Sequence, residues 1–112
     1  MNFAVEEVGG LTIVSPLIRR LDASVAGVFR QNVVTLIEQG HHRLLLDFSQ
    51  VDFIDSSCLG ALVSLLKLLN NRGDLLLCGL NENIQGMFRI TRMDRVFHIG
   101  TDRQQMLAQH GA

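Results

Sequence analysis

The sequence predicts an α/β domain with a mixed central β-sheet, opened by an N-terminal hairpin and packed with about four α-helices. Three observations indicate this fold class. Two short runs, Leu44–Leu46 and Leu75–Cys78, are apolar throughout, which is typical of strands covered on both faces. The segment between them has the composition of a helix, which completes a strand–helix–strand unit. A Gly9-Gly10 pair supplies the positive φ angles that a tight hairpin needs.

The first elements follow from alternation and turn chemistry. Phe3 to Val8 is predicted to be a strand, and Leu11 to Val14 returns as its partner. Pro16 lacks a backbone N–H, so its position favours an edge strand or a bulge.

Two helices are predicted from their caps and their spacing. Asp22 can cap a helix from Ala23 to about Gln39, which Gly40 ends. A second helix is predicted from Ser57 to about Arg72, closed by Gly73. The buried stripe of the first helix is expected to be Val25, Phe29, Val33, Leu36 and Ile37.

The C-terminal part is predicted to contain two short helices and one strand. A short helix is expected around Glu82 to Ile90 and the last strand near Val96 to Ile99. Thr101 and Gln104 have the spacing of a capping box, which predicts a final helix.

Composition limits the class of protein. With 112 residues, 47% of them hydrophobic and 19% charged, residues 1–112 are expected to form one globular domain without linkers or internal repeats. The formal net charge of -1 argues against binding nucleic acid or anionic lipid. The longest apolar stretch, Cys58 to Leu69, is far shorter than the ~20 residues of a membrane span. No signal peptide is evident, so we expect a cytoplasmic protein with no membrane insertion.

Polar residues concentrate where the strand ending at Asp47 leads to the second helix. The connection carries Asp52 and Asp55, followed by the paired serines Ser56 and Ser57. Function in open α/β sheets tends to gather at such junctions. The alternative is that Asp55, Ser56 or Ser57 merely caps the helix, since all three residue types are favoured caps.

A narrow stripe of small and polar residues runs along the second helix, formed by Ser57, Gly60, Ser64, Lys67 and Asn71. The rest of the helix is apolar over most of its circumference, so its exposed flanks are expected to carry leucines that suit a partner. Gly60 either lets another backbone approach closely or packs against a neighbouring loop. The sequence leaves both possibilities open.

Enzymatic chemistry has no support in the sequence. None of the nucleotide-binding glycine loops occurs, and neither does a G-x-S-x-G elbow. The three carboxylates of the junction lack a calcium-loop pattern, and the two cysteines lack metal-ligand spacing. We therefore expect no catalytic activity, no cofactor and no metal. The histidines have no recognised triad spacing: His41, His42, His98 and His110.

The segment from Leu44 to Phe97 resembles the STAS domain family, named for sulfate transporters and anti-sigma-factor antagonists. Its most specific piece is Asp-Ser-Ser-x-Leu-Gly at Asp55 to Gly60, after an apolar strand ending in Asp47. The upstream segment IRRLDASVAGVFRQ is similar to the strand and first helix of that family. The resemblance covers nearly the whole chain and implies a STAS-type fold.

The resemblance implies a protein that switches partners. Stand-alone bacterial members bind an anti-sigma factor that is also a serine kinase. That kinase phosphorylates the second serine of the motif, here Ser57, the modified protein is released, and a serine phosphatase restores it. The expected contact residues are Asp22, Asp55, Ser56, Ser57, Cys58, Gly60, Ser64 and Lys67.

A second function is compatible with the same resemblance. The chain could be a subunit of a lipid or solute ABC transporter, docked on its ATPase through the same helix. The intact pair Ser56 and Ser57 favours the regulator, because a permanent subunit needs no phosphorylatable hydroxyl.

Two positions depart from the family pattern. Cys58 and Arg19 stand where the family usually has glycine. Near a helix N-terminus the pKa of the Cys58 thiol could be lowered, which would favour a reactive thiolate. Alternatively, Cys58 is a small apolar residue tucked under a neighbouring loop.

Overall fold

The computed structural model describes residues 2–111, which form seven strands, four α-helices and one short 3₁₀ turn. The strands are β1 (Phe3–Val8), β2 (Leu11–Pro16), β3 (Arg20–Leu21), β4 (Arg43–Asp47), β5 (Phe53–Ile54), β6 (Asp74–Cys78) and β7 (His98–Ile99). The helices are α1 (Ala23–Glu38), α2 (Ser56–Leu69), α3 (Glu82–Ile90) and α4 (Arg103–His110), and the 3₁₀ turn is Met93–Arg95.

Five of the strands form a mixed sheet with the order β1-β2-β4-β6-β7. β1 pairs antiparallel with β2 through the Gly9-Gly10 turn, and the other neighbours are parallel. The predicted fold class, hairpin and four helices are therefore confirmed.

The sheet is covered on both faces, as the two apolar runs predict. Leu44, Leu45 and Leu46 are all fully buried. Leu44 and Leu46 belong to the larger core beneath α1, α2 and α3, whereas Leu45 belongs to a smaller core around Met106 of α4. Consecutive residues of a strand point to opposite faces, so a strand covered twice must be apolar at every position.

A polar network fastens α4 to its face of the sheet. The Arg103 guanidinium donates to Asp47 Oδ2 at 3.0 Å, to Ser15 Oγ at 3.0 Å and to Glu6 Oε1 at 3.2 Å. Asp47 is nearly buried, so this ion pair satisfies a carboxylate that would be costly to bury alone.

A two-stranded parallel ladder, β3 with β5, lies outside the main sheet. Arg20 pairs with Phe53 and Leu21 with Ile54. The sequence does not predict these strands, because two residues are too few to show any periodicity. The ladder brings the segments that precede α1 and α2 side by side.

The second helix differs from its predicted bounds. It starts one residue earlier, at Ser56, and ends at Leu69 rather than near Arg72. Asn70 and Asn71 adopt left-handed backbone angles, with φ of 47° and 63°, which stop the helix before Gly73. Asn71 therefore lies outside α2 and is not part of the predicted stripe of small and polar residues.

The last strand and the final helix are confirmed, but three details differ from the predictions. β2 is an interior strand, and Pro16 is tolerated at its end because the ladder with β4 covers only Thr12 to Val14. The last strand is limited to His98–Ile99. α4 is capped by Asp102 rather than Thr101, since Asp102 Oδ1 accepts from the Gln105 N–H at 2.8 Å.

Candidate partner-binding surface

The starts of α1 and α2 lie next to each other, immediately after the β3–β5 ladder. Each helix begins with an aspartate in an extended conformation, Asp22 for α1 and Asp55 for α2. We call the residues around these two starts, Phe53 to Gly60 together with Arg20 to Ser24, the helix-start surface.

Asp55 connects the two helices through one carboxylate. Its Oδ1 accepts hydrogen bonds from the N–H groups of Ser57 at 3.0 Å and Cys58 at 3.2 Å, which cap α2. Its Oδ2 accepts from the Ala23 N–H at 2.9 Å, in the first turn of α1. Asp55 is therefore the cap of its own helix and a junction between both helices.

Asp22 caps α1 alone. Its Oδ1 accepts from the Ser24 N–H at 3.0 Å and from the Ser24 hydroxyl at 2.6 Å. These hydrogen bonds, above all that from the Ser24 side chain, lower the pKa of the Asp22 carboxyl below its ordinary value. Asp22 is thus ionised at neutral pH and presents a negative charge beside Asp55.

Ser56 and Ser57 occupy the first turn of α2, and both are exposed. The sequence leaves open that Asp55, Ser56 or Ser57 only caps the helix. In the structure, the cap of α2 is Asp55. Since the cap is supplied by the carboxylate, the two hydroxyls are not required for it, and the Ser57 side chain is accessible to a partner.

The small and polar stripe of α2 divides into two parts. Gly60 and Lys67 are exposed, whereas Ser64 is half-buried and its hydroxyl accepts from Arg30 Nε of α1 at 2.7 Å. A Cβ atom at Gly60 would meet nothing within 4 Å. The loop-packing alternative for Gly60 is therefore wrong, and the space above it is open to an approaching molecule.

The expected rows of exposed leucines are not present on α2. Leu68, at the far end of the helix, is its one large apolar residue among those described that is clearly exposed, at 39%. The other leucines of α2 pack in the core or against it, because α1 and the sheet enclose most of the helix circumference.

An exposed apolar residue of the helix-start surface is Phe53 of β5, four positions before Ser57 in the chain, and the sequence patterns above do not single it out. Phe53 is 38% exposed, and the Arg20 guanidinium lies 4.2 Å from the centre of its ring. Together with Ile84 and Met87 it lines a groove of about 240 Å³ between β5 and α3. The signal that the sequence offers is a phenylalanine two positions before the aspartate that caps α2.

Cys58 lies in the core, with no exposed surface. Burial, reinforced by the Asp55 charge, raises the pKa of its thiol to about 12. The reactive-thiolate interpretation is therefore wrong. A partner cannot reach the side chain of Cys58, so we do not include this residue among the contacts proposed below.

The three carboxylates of the junction do not converge. Asp47 is held by Arg103, Asp52 lies 3.6 Å from Arg19 on the surface, and Asp55 caps the helices. Among residues 2–111 no group of three or more His, Cys, Asp or Glu side chains is arranged to hold a metal ion.

Comparison with known families decides what kind of domain this is. The model of the STAS domain matches residues 2–106. This chain belongs to the STAS domain family. The Asp55–Gly60 motif, which carried the resemblance, forms the start of α2 in this STAS domain.

Several relatives are similar to this STAS domain over most of their length. The anti-sigma-B factor antagonist of Staphylococcus epidermidis is 30% identical over 80 residues, which cover 70% of this chain and 74% of the relative. The crystal structure of TM1081 from Thermotoga maritima, described as an anti-sigma factor antagonist, superposes with a TM-score of 0.89 at 26% identity. That superposition covers 96% of this chain and 92% of TM1081.

A more distant structure has the same fold. The anti-sigma factor antagonist SpoIIAA, in its unphosphorylated form, superposes with a TM-score of 0.71 at 19% identity, covering 96% of both chains. Within residues 2–111 of the STAS domain, no helix has the length and apolar character needed to cross a membrane.

Proposed function

We propose that the chain is an anti-sigma factor antagonist that binds an anti-sigma factor/serine kinase and is released when that kinase phosphorylates Ser57. The observation that carries the proposal is the position of Ser57, exposed in the first turn of α2 beside the start of α1. A serine phosphatase acting on the phosphorylated form would return the protein to its binding state.

The folded domain should tolerate a phosphate at Ser57. Two helix N-termini meet there, and their partial positive charges favour an anion. The carboxylates of Asp22 and Asp55 repel it and offset part of this gain. We therefore expect the phosphorylated domain to remain folded, with a stability close to that of the unmodified protein.

The interface should not tolerate the phosphate. Phosphorylation adds about -1.5 to -2 charges at neutral pH. An unpaired charge within an interface costs about 2–5 kcal/mol, which corresponds to a loss of affinity of at least about thirtyfold. The added charge thus acts on association with the partner rather than on folding.

The proposed contacts are drawn from the exposed and half-buried residues of the helix-start surface and of the α2 stripe. Phe53 is the apolar anchor that this surface offers, and Gly60 leaves room for the partner's backbone. Ser64 acts indirectly, by holding α1 against α2 through Arg30. The proposed contact residues are Asp22, Phe53, Asp55, Ser56, Ser57, Gly60 and Lys67.

The names of the relatives support the regulator. The Staphylococcus epidermidis relative is an antagonist of an anti-sigma factor, and two of the solved structures with this fold are described in the same terms. Docking on the ATPase of an ABC transporter stays a prediction, because no contact of the helix-start surface distinguishes that partner.

Binding of the cognate anti-sigma factor/serine kinase, measured by isothermal titration calorimetry, tests the proposal. Ser57→Asp should weaken binding at least about thirtyfold, while Ser57→Ala should bind normally and resist phosphorylation. Ser56→Ala should still be modified. Gln104→Asp is the matched control, because Gln104 is exposed at the equivalent position of α4, which covers the opposite face of the sheet.

Mass spectrometry of the kinase-treated protein locates the phosphate. Modification of Ser56 alone, or undiminished binding by the phosphorylated protein, would overturn the proposed switch. Equal losses in Ser57→Asp and Gln104→Asp would show that any added charge weakens binding, which also contradicts it.

A further inference from the structure

We propose that His98 and His110 form a binding site for a divalent transition-metal ion, of the zinc, nickel or copper type, that clamps the end of α4 to β7. The two Nε2 atoms lie 3.3 Å apart, although the residues are separated by twelve positions in the chain. Neither residue belongs to the helix-start surface, so the proposal is independent of the proposed function.

The distance between the two nitrogens suits a shared metal ion. In a tetrahedral site with Zn–N bonds of about 2.0–2.1 Å, two ligand nitrogens lie about 3.3–3.4 Å apart. The pair therefore already has the separation of one edge of such a site. Neutral imidazole is a preferred ligand of zinc, nickel and copper.

The rings are close to the arrangement that a shared ion requires but must open slightly to reach it. The ring centres are 4.6 Å apart, and the ring planes are nearly perpendicular at 86°. Two imidazoles on one tetrahedral ion have their centres about 5 Å apart, so binding requires the rings to turn outward from their present contact. Binding requires both Nε2 atoms to offer lone pairs, so the ring that now donates the hydrogen bond would carry its proton on Nδ1 instead.

Both histidines are held by rigid elements but remain accessible. His98 is exposed in β7 and pairs with Leu76 of β6, and His110 is half-buried in the last turn of α4. Arg43 donates from Nη2 to the His110 carbonyl and from Nε to Asp74 at 3.1 Å. The neighbouring guanidinium is thus paired with a carboxylate, which reduces its repulsion of a cation.

The two histidines supply half of a tetrahedral ligand set. No third His, Cys, Asp or Glu of the described chain joins them, so water would complete the coordination. A metal ion held by two histidines and water can exchange with ions in the solvent. Such a site suits a reversible surface clamp rather than a permanent structural metal. The clamp would restrain α4, which covers its face of the sheet with Met106.

Zinc chloride titrated into the intact protein, without a histidine tag, tests the site by calorimetry. We expect one zinc ion per chain and a raised melting temperature, because a ligand that binds only the folded state stabilises it. His98→Gln and His110→Gln should each weaken zinc binding at least about tenfold, the lower end of the loss when even a supporting partner is removed. Magnesium should not bind, since it prefers oxygen ligands.

The matched control is His41→Gln, because His41 lies 2.9 Å from Glu7 and is the other histidine beside a possible ligand. Zinc binding should be unchanged in this variant. In the unaltered protein, NMR of the imidazole rings should show zinc-dependent shifts at His98 and His110, which keeps the test decisive if a variant unfolds. No saturable zinc binding, imidazole shifts at other histidines only, or a loss in His41→Gln would overturn the proposal.

Discussion

The starts of α1 and α2 share a sequence pattern but not a role. Asp22-Ala-Ser-Val-Ala-Gly27 and Asp55-Ser-Ser-Cys-Leu-Gly60 both follow the pattern Asp-x-Ser-x-x-Gly. The strands before them pair in register, and a Cβ atom at either glycine would meet nothing within 4 Å. The two segments are thus equivalent in position along paired strands.

The difference lies in what each carboxylate holds. Asp22 accepts hydrogen bonds only from Ser24 of its own helix, whereas Asp55 accepts from Ser57 and Cys58 of α2 and also from Ala23 of α1. One start is a self-contained cap and the other is a junction. A change at the start of α2 therefore acts on both helices, while a change at the start of α1 acts on one.

Removal of the junction should have the largest effect on stability. Asp55→Ala removes three hydrogen bonds: the two that cap α2 and the one from the Ala23 N–H of α1. A lost cap costs about 0.5–2 kcal/mol and a lost hydrogen bond to a charged group about 1.5–3 kcal/mol, so the free energy of unfolding should fall by about 2–5 kcal/mol. Urea denaturation followed by circular dichroism measures this change.

Asp22→Ala is the control for that comparison and should cost less, because it leaves the connection between the helices intact. Equal losses in the two variants would contradict the distinction between cap and junction. Asp55→Asn sharpens the test, since asparagine also caps well but its one acceptor oxygen cannot serve both helices.

The residues that precede the two starts should differ in binding. Arg20 and Phe53 are register partners, and Phe53 supplies the exposed apolar ring. Phe53→Ala should weaken binding of the cognate anti-sigma factor by about tenfold, typical of an aromatic anchor. Calorimetric titration gives the affinity, with Val28→Ala, which is exposed at 50% on α1, as the control. A smaller loss in Phe53→Ala than in Val28→Ala would refute the anchor.

The smallest effect is expected in the pH dependence of stability, through the carboxylate of Asp22. The pKa of Asp22 is lowered on folding, so its contribution is complete above the ordinary value of 3.8 and is lost as pH falls through the folded value. Asp22→Asn should keep the cap at neutral pH and remove this part of the decline below about pH 4. Urea melts at pH 7 and pH 3 test this prediction, and an unchanged decline in the variant would contradict it.

Much of the fold could be predicted because the decisive signals are local. The runs Leu44–Leu46 and Leu75–Cys78 identify doubly covered strands, and Gly9-Gly10 identifies the hairpin. The end of α2 was misplaced, because an asparagine that accepts a left-handed backbone can end a helix before the next glycine. The ladder of β3 and β5 is too short to leave a pattern.

The local geometry of the helix-start surface could be predicted in part, but the contacts between its two segments could not. Asp55 and Ser57 are visible as a cap and a first-turn serine, whereas the contact of Asp55 with Ala23 joins residues 32 positions apart. Burial of Cys58 depends on the side of α2 that the sheet occupies, which local chemistry does not fix. The proximity of His98 and His110 likewise requires the packing of α4 against β7.

The β3–β5 ladder and Asp55 join the starts of α1 and α2, and this has a consequence for kinetics. Two segments that are already hydrogen-bonded to each other have less conformational entropy to lose when a partner binds. A preformed surface of this kind docks without a folding step, which is compatible with association rate constants of about 10⁵–10⁷ M⁻¹s⁻¹. Under the proposed function, such a surface would follow a change in the phosphorylation of Ser57 as fast as diffusion and dissociation allow.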